Sequence, residues 1–196
     1  MREERLIAFT DAVLAIIMTI LILGLDKPAE LSFQGLWEMR SSFFAYALSF
    51  FWLGTTWISL NNIWIKVERV SITVVWWNLI FLFCSSFLPY TTGLVSTNFD
   101  NRFAQVLYGT VVIATTSCNW ILHKLIDSPN SENSTLLDAT RIYRKLLIPD
   151  IIFQIIALIL AITVYPPIMM YGTLIASGYV QLAKIILYRK DKDKTE

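Results

Sequence analysis

The chain has 196 residues, 56% hydrophobic and 16% charged, with a formal net charge of +1. Soluble domains average about 45–50% apolar and about 25% charged residues, so an excess that arrives in blocks excludes an ordinary soluble domain and points to an all-α membrane protein. The balanced charge gives no footprint for nucleic acid, the two cysteines form no CxxC pair or disulfide framework, and the single histidine, His123, makes no metal site alone.

A bilayer crossing needs about 20 mostly apolar residues. The first such run is 6–25, closed by Asp26, Lys27 and Pro28. Arg2 and Arg5 precede it, as in a secretion signal, but Asp11 interrupts the run and no small-x-small site precedes Asp26, so it reads as a retained helix. The second run, 41–65, and the third, 72–95, carry no charge. The fourth is 103–123, and the polar stretch Asp127–Arg141, DSPNSENSTLLDATR, reads as a loop. The fifth, 146–165, is broken from the sixth, 168–187, by Pro166 and Pro167. Residues 1–190 thus form one six-helix transmembrane domain, and 191–196 a charged tail. Six crossings put both termini on one face, and on the other face only Lys27, Arg40 and Arg102 are basic, which places the termini in the cytoplasm.

The first helix can be read by angle. With Ile16 as zero and about 100° per residue, Phe9, Ala12, Val13, Thr19, Ile20 and Leu23 lie within about 60° of it. This stripe is apolar except for Thr19. Asp11 lies about 140° away, among Ala8, Ala15, Met18 and Ile22, a face expected to lock against neighbouring helices. By periodicity alone the apolar stripe faces lipid. A carboxylate inside a span needs a partner; the candidates are Arg5, Asn61, Asn62 and Asn78, all near cytoplasmic ends. Asp11 is then either the holder of an inter-helix hydrogen-bond layer or a proton carrier. "YGT" at Tyr108–Thr110 and Tyr171–Thr173 is no selectivity filter, and Gly109 and Gly172 read as close-packing sites. No helix carries the spaced arginines of a voltage sensor.

The string RLIAFTDAV, Arg5 to Val13, resembles the Arg-x-x-x-Phe-Ser-Asp signature that opens the first helix of the transmembrane protein 175 family. Arg5, Phe9 and Asp11 match, and Thr10 stands for the serine. Ala15–Leu25 and Trp77–Val95 are similar to the family's continuation and third helix. The resemblance implies a potassium-permeable cation channel, open to other monovalent cations, built as a homotetramer around a central pore in a prokaryotic plasma membrane. It implies no enzyme activity and no cofactor; the expected partners are lipid, other copies of the chain and the permeant ions. It moves the apolar stripe from lipid to the pore: Ile16, Ile20 and Leu23 become the constriction or gate, and Thr19 the candidate for selectivity. Arg5, Phe9, Thr10 and Asp11 join an inter-helix network with Asn61, Asn62 and Asn78. Family members often carry histidine near the end of the second helix, where this chain has Asn61 and Asn62; amides hydrogen-bond without titrating near neutral pH, so a histidine-borne pH response does not transfer.

The competing function is a proton-coupled secondary transporter using Asp11 and Asp150, each a few residues into a span. Against it, the sequence shows no inverted repeat with matched broken helices. An intramembrane enzyme lacks a nucleophile–base pair or ligand cluster.

Overall fold

The computed structural model describes the backbone of residues 3–192 and the side chains of residues 3–186. Residues 193–196 of the expected tail lie outside the described residues. The chain is all-helical: α1 (Glu3–Ile20), α2 (Phe33–Glu38), α3 (Arg40–Trp64), α4 (Ile72–Ser86), α5 (Leu88–Thr97), α6 (Arg102–Asp127), α7 (Ser134–Thr163) and α8 (Ile168–Lys192). Among the described residues four segments, Glu3–Gly24, Arg40–Trp64, Ile72–Thr97 and Ser134–Thr163, are long and apolar enough to cross a membrane. This is a multi-pass membrane protein.

Three boundaries differ from the sequence expectation, each for a local reason. The first run ends as a 3-10 turn at Leu21–Gly24, where Ser96 on α5 donates to the Gly24 carbonyl at 3.3 Å. The third run is two helices meeting at Phe87: Pro89, at the start of α5, has no N–H to give to the preceding turn, so regular helix stops there. The stretch expected as a loop is helical from Ser134 onward. Asn133 caps it by accepting from the Leu136 N–H at 3.0 Å, and Leu136 and Thr140 are buried while Asp138 and Arg141 are exposed. That amphipathic turn packs on the end of α6, where Asp127 accepts from Thr140 and Arg144, both at 2.5 Å. Polar composition marked a surface segment and not an unstructured one. The sequence also gave no sign of α2, a short helix in the first connection, capped by Ser32 accepting from the Gly35 N–H.

α6 is the hub, packing on α4, α5, α7 and α8. Its buried side chains include Gln105, Tyr108, Thr115, Thr116, Asn119 and His123. It is less oily than its neighbours because it faces protein, where polar groups find partners that lipid does not offer. Two glycines let helices close around it. A methyl on Gly109 would meet Met169 Sδ at 2.6 Å and Leu158 Cδ1 at 3.0 Å, and one on Gly172 would collide with Ala157 Cβ.

Gly109→Ala and Gly172→Ala should each lower the apparent melting temperature in detergent, overpacking costing about 1–3 kcal/mol. Gly178, with nothing within 4 Å of an added methyl, serves as the control: Gly178→Ala should leave the melting temperature unchanged or raise it. Equal behaviour of all three variants would remove the close-packing role.

Candidate functional site

α1 divides into three faces, where the sequence reading gave two. The buried face is Leu6, Thr10, Leu14, Ile17 and Leu21, a spacing of three and four residues set against α3, α4 and α5. The stripe centred on Ile16 is open: Ile16 is 56% exposed and Leu23 79%, with Phe9 and Ile20 also exposed. The Asp11 face is not packed inside the subunit as expected. Ala8, Ala15 and Ile22 are exposed and Asp11 is half-buried. On that face Met18 comes close to α3, its Cε lying 3.4 Å from where a Gly54 methyl would sit.

Polar bonds hold the inner half of this helix. Asn78 on α4, fully buried, donates through Nδ2 to Thr10 Oγ1 at 2.7 Å. Thr10 passes its own hydrogen to the Leu6 carbonyl at 2.8 Å. The hydroxyl therefore accepts and donates at once, and an apolar residue at 10 would orphan the Asn78 amide in the core. Asp11 Oδ1 accepts from the indole Nε1 of Trp57 on α3 at 2.8 Å. None of the four candidates read from sequence is Asp11's partner. Among the described residues Arg5 pairs with neither Asp11 nor an asparagine, Asn78 goes to Thr10, and Asn62 points to Tyr143 on α7 at 3.4 Å. Asn61 lies half-buried one turn beyond Trp57. The indole was overlooked because tryptophan counts as apolar, yet its N–H is a donor with no competing acceptor.

Thr19 is exposed and gives its hydrogen to the Ile16 carbonyl at 2.8 Å, leaving the oxygen lone pairs uncommitted. The stripe forms one wall of an apolar groove between α1 and the α4–α5 junction, where Ile16, Ile20 and Leu23 face Ser86, Pro89 and Tyr90 across Val13 and Ile17. Asp150 lies elsewhere, 5% exposed on α7 and hydrogen-bonded to Gln154 at 3.2 Å. The structure does not bring it together with Asp11.

A sequence model described as endosomal/lysosomal potassium channel TMEM175 matches residues 5–89. A protein named as a potassium channel, from Chryseobacterium sp. (strain P1-3), is 32% identical over 192 residues, spanning 98% of this chain and 95% of that protein. The chain belongs to the TMEM175 family. The endosomal/lysosomal proton channel TMEM175 of Danio rerio is 29% identical to it over 112 residues, 54% of this chain and 21% of its own length. The crystal structure of a lysosomal potassium-selective channel TMEM175 homolog from Chamaesiphon minutus shares the fold, with TM-score 0.71 at 21% identity over 92% of this chain and 96% of that one. These relatives are named as channels and not as enzymes. The TMEM175 match at 5–89 takes in α1 and the two helices that hold it, with Thr10, Asp11, Trp57 and Asn78 all inside.

Thr10→Val and Asn78→Leu should each lower the thermal stability of this TMEM175 member. The double variant should lose less than the sum, leaving a coupling of about 0.6 kcal/mol, the average for inter-helix hydrogen bonds in membranes, and no more than about 1.7. Strictly additive losses in the cycle would show that the bond contributes nothing.

Proposed function

We propose that this protein is a potassium-permeable cation channel of a prokaryotic plasma membrane. In this reading four copies bring α1 to a common axis, with both termini cytoplasmic and six crossings per subunit. The observation that carries it is the open stripe: a helix held in its N-terminal half by one buried bond to α4 and one exposed bond to α3 turns its branched aliphatics, and one hydroxyl, away from its own subunit. The names of the relatives supply the ion. The groove along Val13, Ile17 and Pro89 supports an oligomer, since it leaves room for an adjacent copy beside each stripe, and exposed Ala8 and Ala15 permit the close approach that membrane helices use.

Four Ile16 side chains around an axis form an apolar ring, with Ile20 and Leu23 beyond it. Such a ring stops ions by dewetting and needs no plug. Conduction requires it to widen until an ion passes with some of its water. Aliphatic carbon cannot replace water oxygen, so discrimination between cations falls to the Thr19 hydroxyls. Their hydrogens are held by the Ile16 carbonyls, so each ring oxygen presents lone pairs to a cation.

Two recordings test this. Ile16→Asn should wet the ring and raise leak current in planar bilayers; unchanged current would place the constriction elsewhere. Under bi-ionic potassium and sodium, Thr19→Ala should move the reversal potential toward that of a non-selective pore, whereas a value equal to wild type would remove Thr19 from selectivity.

A further inference from the structure

Away from the stripe, α3, α6, α7 and α8 form a half-open chamber that polar side chains line. It offers about 30 Å³ to water centres, where about 10–15 Å³ suffices for one water. Among the described residues neither ring nitrogen of His123 on α6, which is fully buried, has a hydrogen-bond partner, nor does Oδ1 of buried Asn119 one turn earlier. Groups of this kind are normally satisfied by internal water.

Two opposite charges share the chamber without touching. Lys184 on α8 donates to Ser59 Oγ on α3 and lies 5.2 Å from the centre of the Tyr143 ring. Asp150 on α7 is tied only to Gln154. Among the described residues the ion pairs are Arg144–Asp127 and Arg141–Asp138, so Asp150 and Lys184 are not in contact. A buried charge without a partner is strongly penalised; bridging water removes most of that penalty at little entropic cost. The other ionisable groups around Asp150 are few. α3 contributes tryptophan, threonine and serine, α6 contributes His123, and α8 contributes Lys184. On α7 itself Tyr143 lines the wall, while Arg144 turns to Asp127 and the His123 carbonyl.

We propose that the chamber is a hydrated proton-binding site, separate from the pore stripe, at which a proton from solvent converts the Asp150 carboxylate to the neutral acid and strips Lys184 of its counter-charge. α3 transmits the change. Ser59 receives Lys184 on one side of that helix, and two residues earlier, on its opposite side, Trp57 holds Asp11 of α1. Loosening Lys184 from Ser59 therefore alters the helix to which the pore helix is pinned. The consequence for conduction rests on the reading of α1 given under Proposed function; the proton site itself does not.

The test uses the purified full chain in liposomes, with potassium efflux followed at equal pH on both sides. The pH is stepped from about 8 to about 5, where perturbed carboxyl and imidazole groups titrate, and each protein's flux is normalised to its own alkaline value. Wild-type flux should change with pH, and Asp150→Asn should lose that response. A flat wild type, a response retained in Asp150→Asn, or a response lost only in His123→Gln overturns the proposal. If Asp150→Asn fails to fold, Lys184→Gln decides: it keeps the carboxylate without its cation and should displace the midpoint, and an unmoved midpoint overturns the proposal. Absence of wild-type potassium flux would instead sink the channel reading. Infrared difference spectra then judge the proton site alone, through a carboxylic C=O stretch that grows on acidification and is missing in Asp150→Asn; no such band ends the idea.

Discussion

In a bilayer the backbone must satisfy its own polar groups and a polar side chain is costly unless it meets a partner or water, and on α1 that requirement fixes which way the helix faces. The Asn78–Thr10–Leu6 relay and the Trp57–Asp11 bond lie next to each other in sequence, one directed to α4 and one to α3. Two attachments at different angles stop a cylinder from rolling. Hydrophobic packing alone does this poorly in a bilayer, where lipid tails are as apolar as leucine. The outward stripe is thus a product of the polar bonds on the other two faces.

The same requirement explains the uneven composition of the helices. α6 carries amides, hydroxyls and an imidazole because it is surrounded by α4, α5, α7 and α8. α7 has an oily outer half, with Ile152, Phe153, Ile155, Ile156 and Ile159 exposed, and a polar inner face at Asp150 and Gln154. Residues that look misplaced in a hydropathy profile mark the sides that meet protein.

Much of this was legible in the sequence. The blocks of apolar residues announced a helical membrane protein, the RLIAFTDAV string announced the family, and angular position alone set Ile16, Ile20 and Leu23 apart from Asp11. What escaped was decided by contacts between distant residues. The core face of α1 at Leu6, Leu14 and Ile17 is as apolar as the stripe, so periodicity could not tell inside from outside. Trp57 hid as a donor because hydropathy scales score its ring. The polarity of Asp127–Arg141 reads as loop and outweighs the helical pattern from Ser134 onward, which the Asp127–Arg144 pair makes plain. The chamber draws on four helices, and no single stretch contains it.

The tightened turn at Leu21–Gly24 has a consequence for the far end of the exposed stripe. At three residues per turn, side chains three apart eclipse one another, so Leu23 stands straight above Ile20 as a second storey. Relaxing those residues to the ordinary winding of 3.6 would swing Leu23 sideways by about 60° and draw the segment in by roughly 2 Å. The Ser96 hydroxyl, shared between the Gly93 carbonyl at 2.8 Å and the Gly24 carbonyl at 3.3 Å, is a weak latch on that short spring.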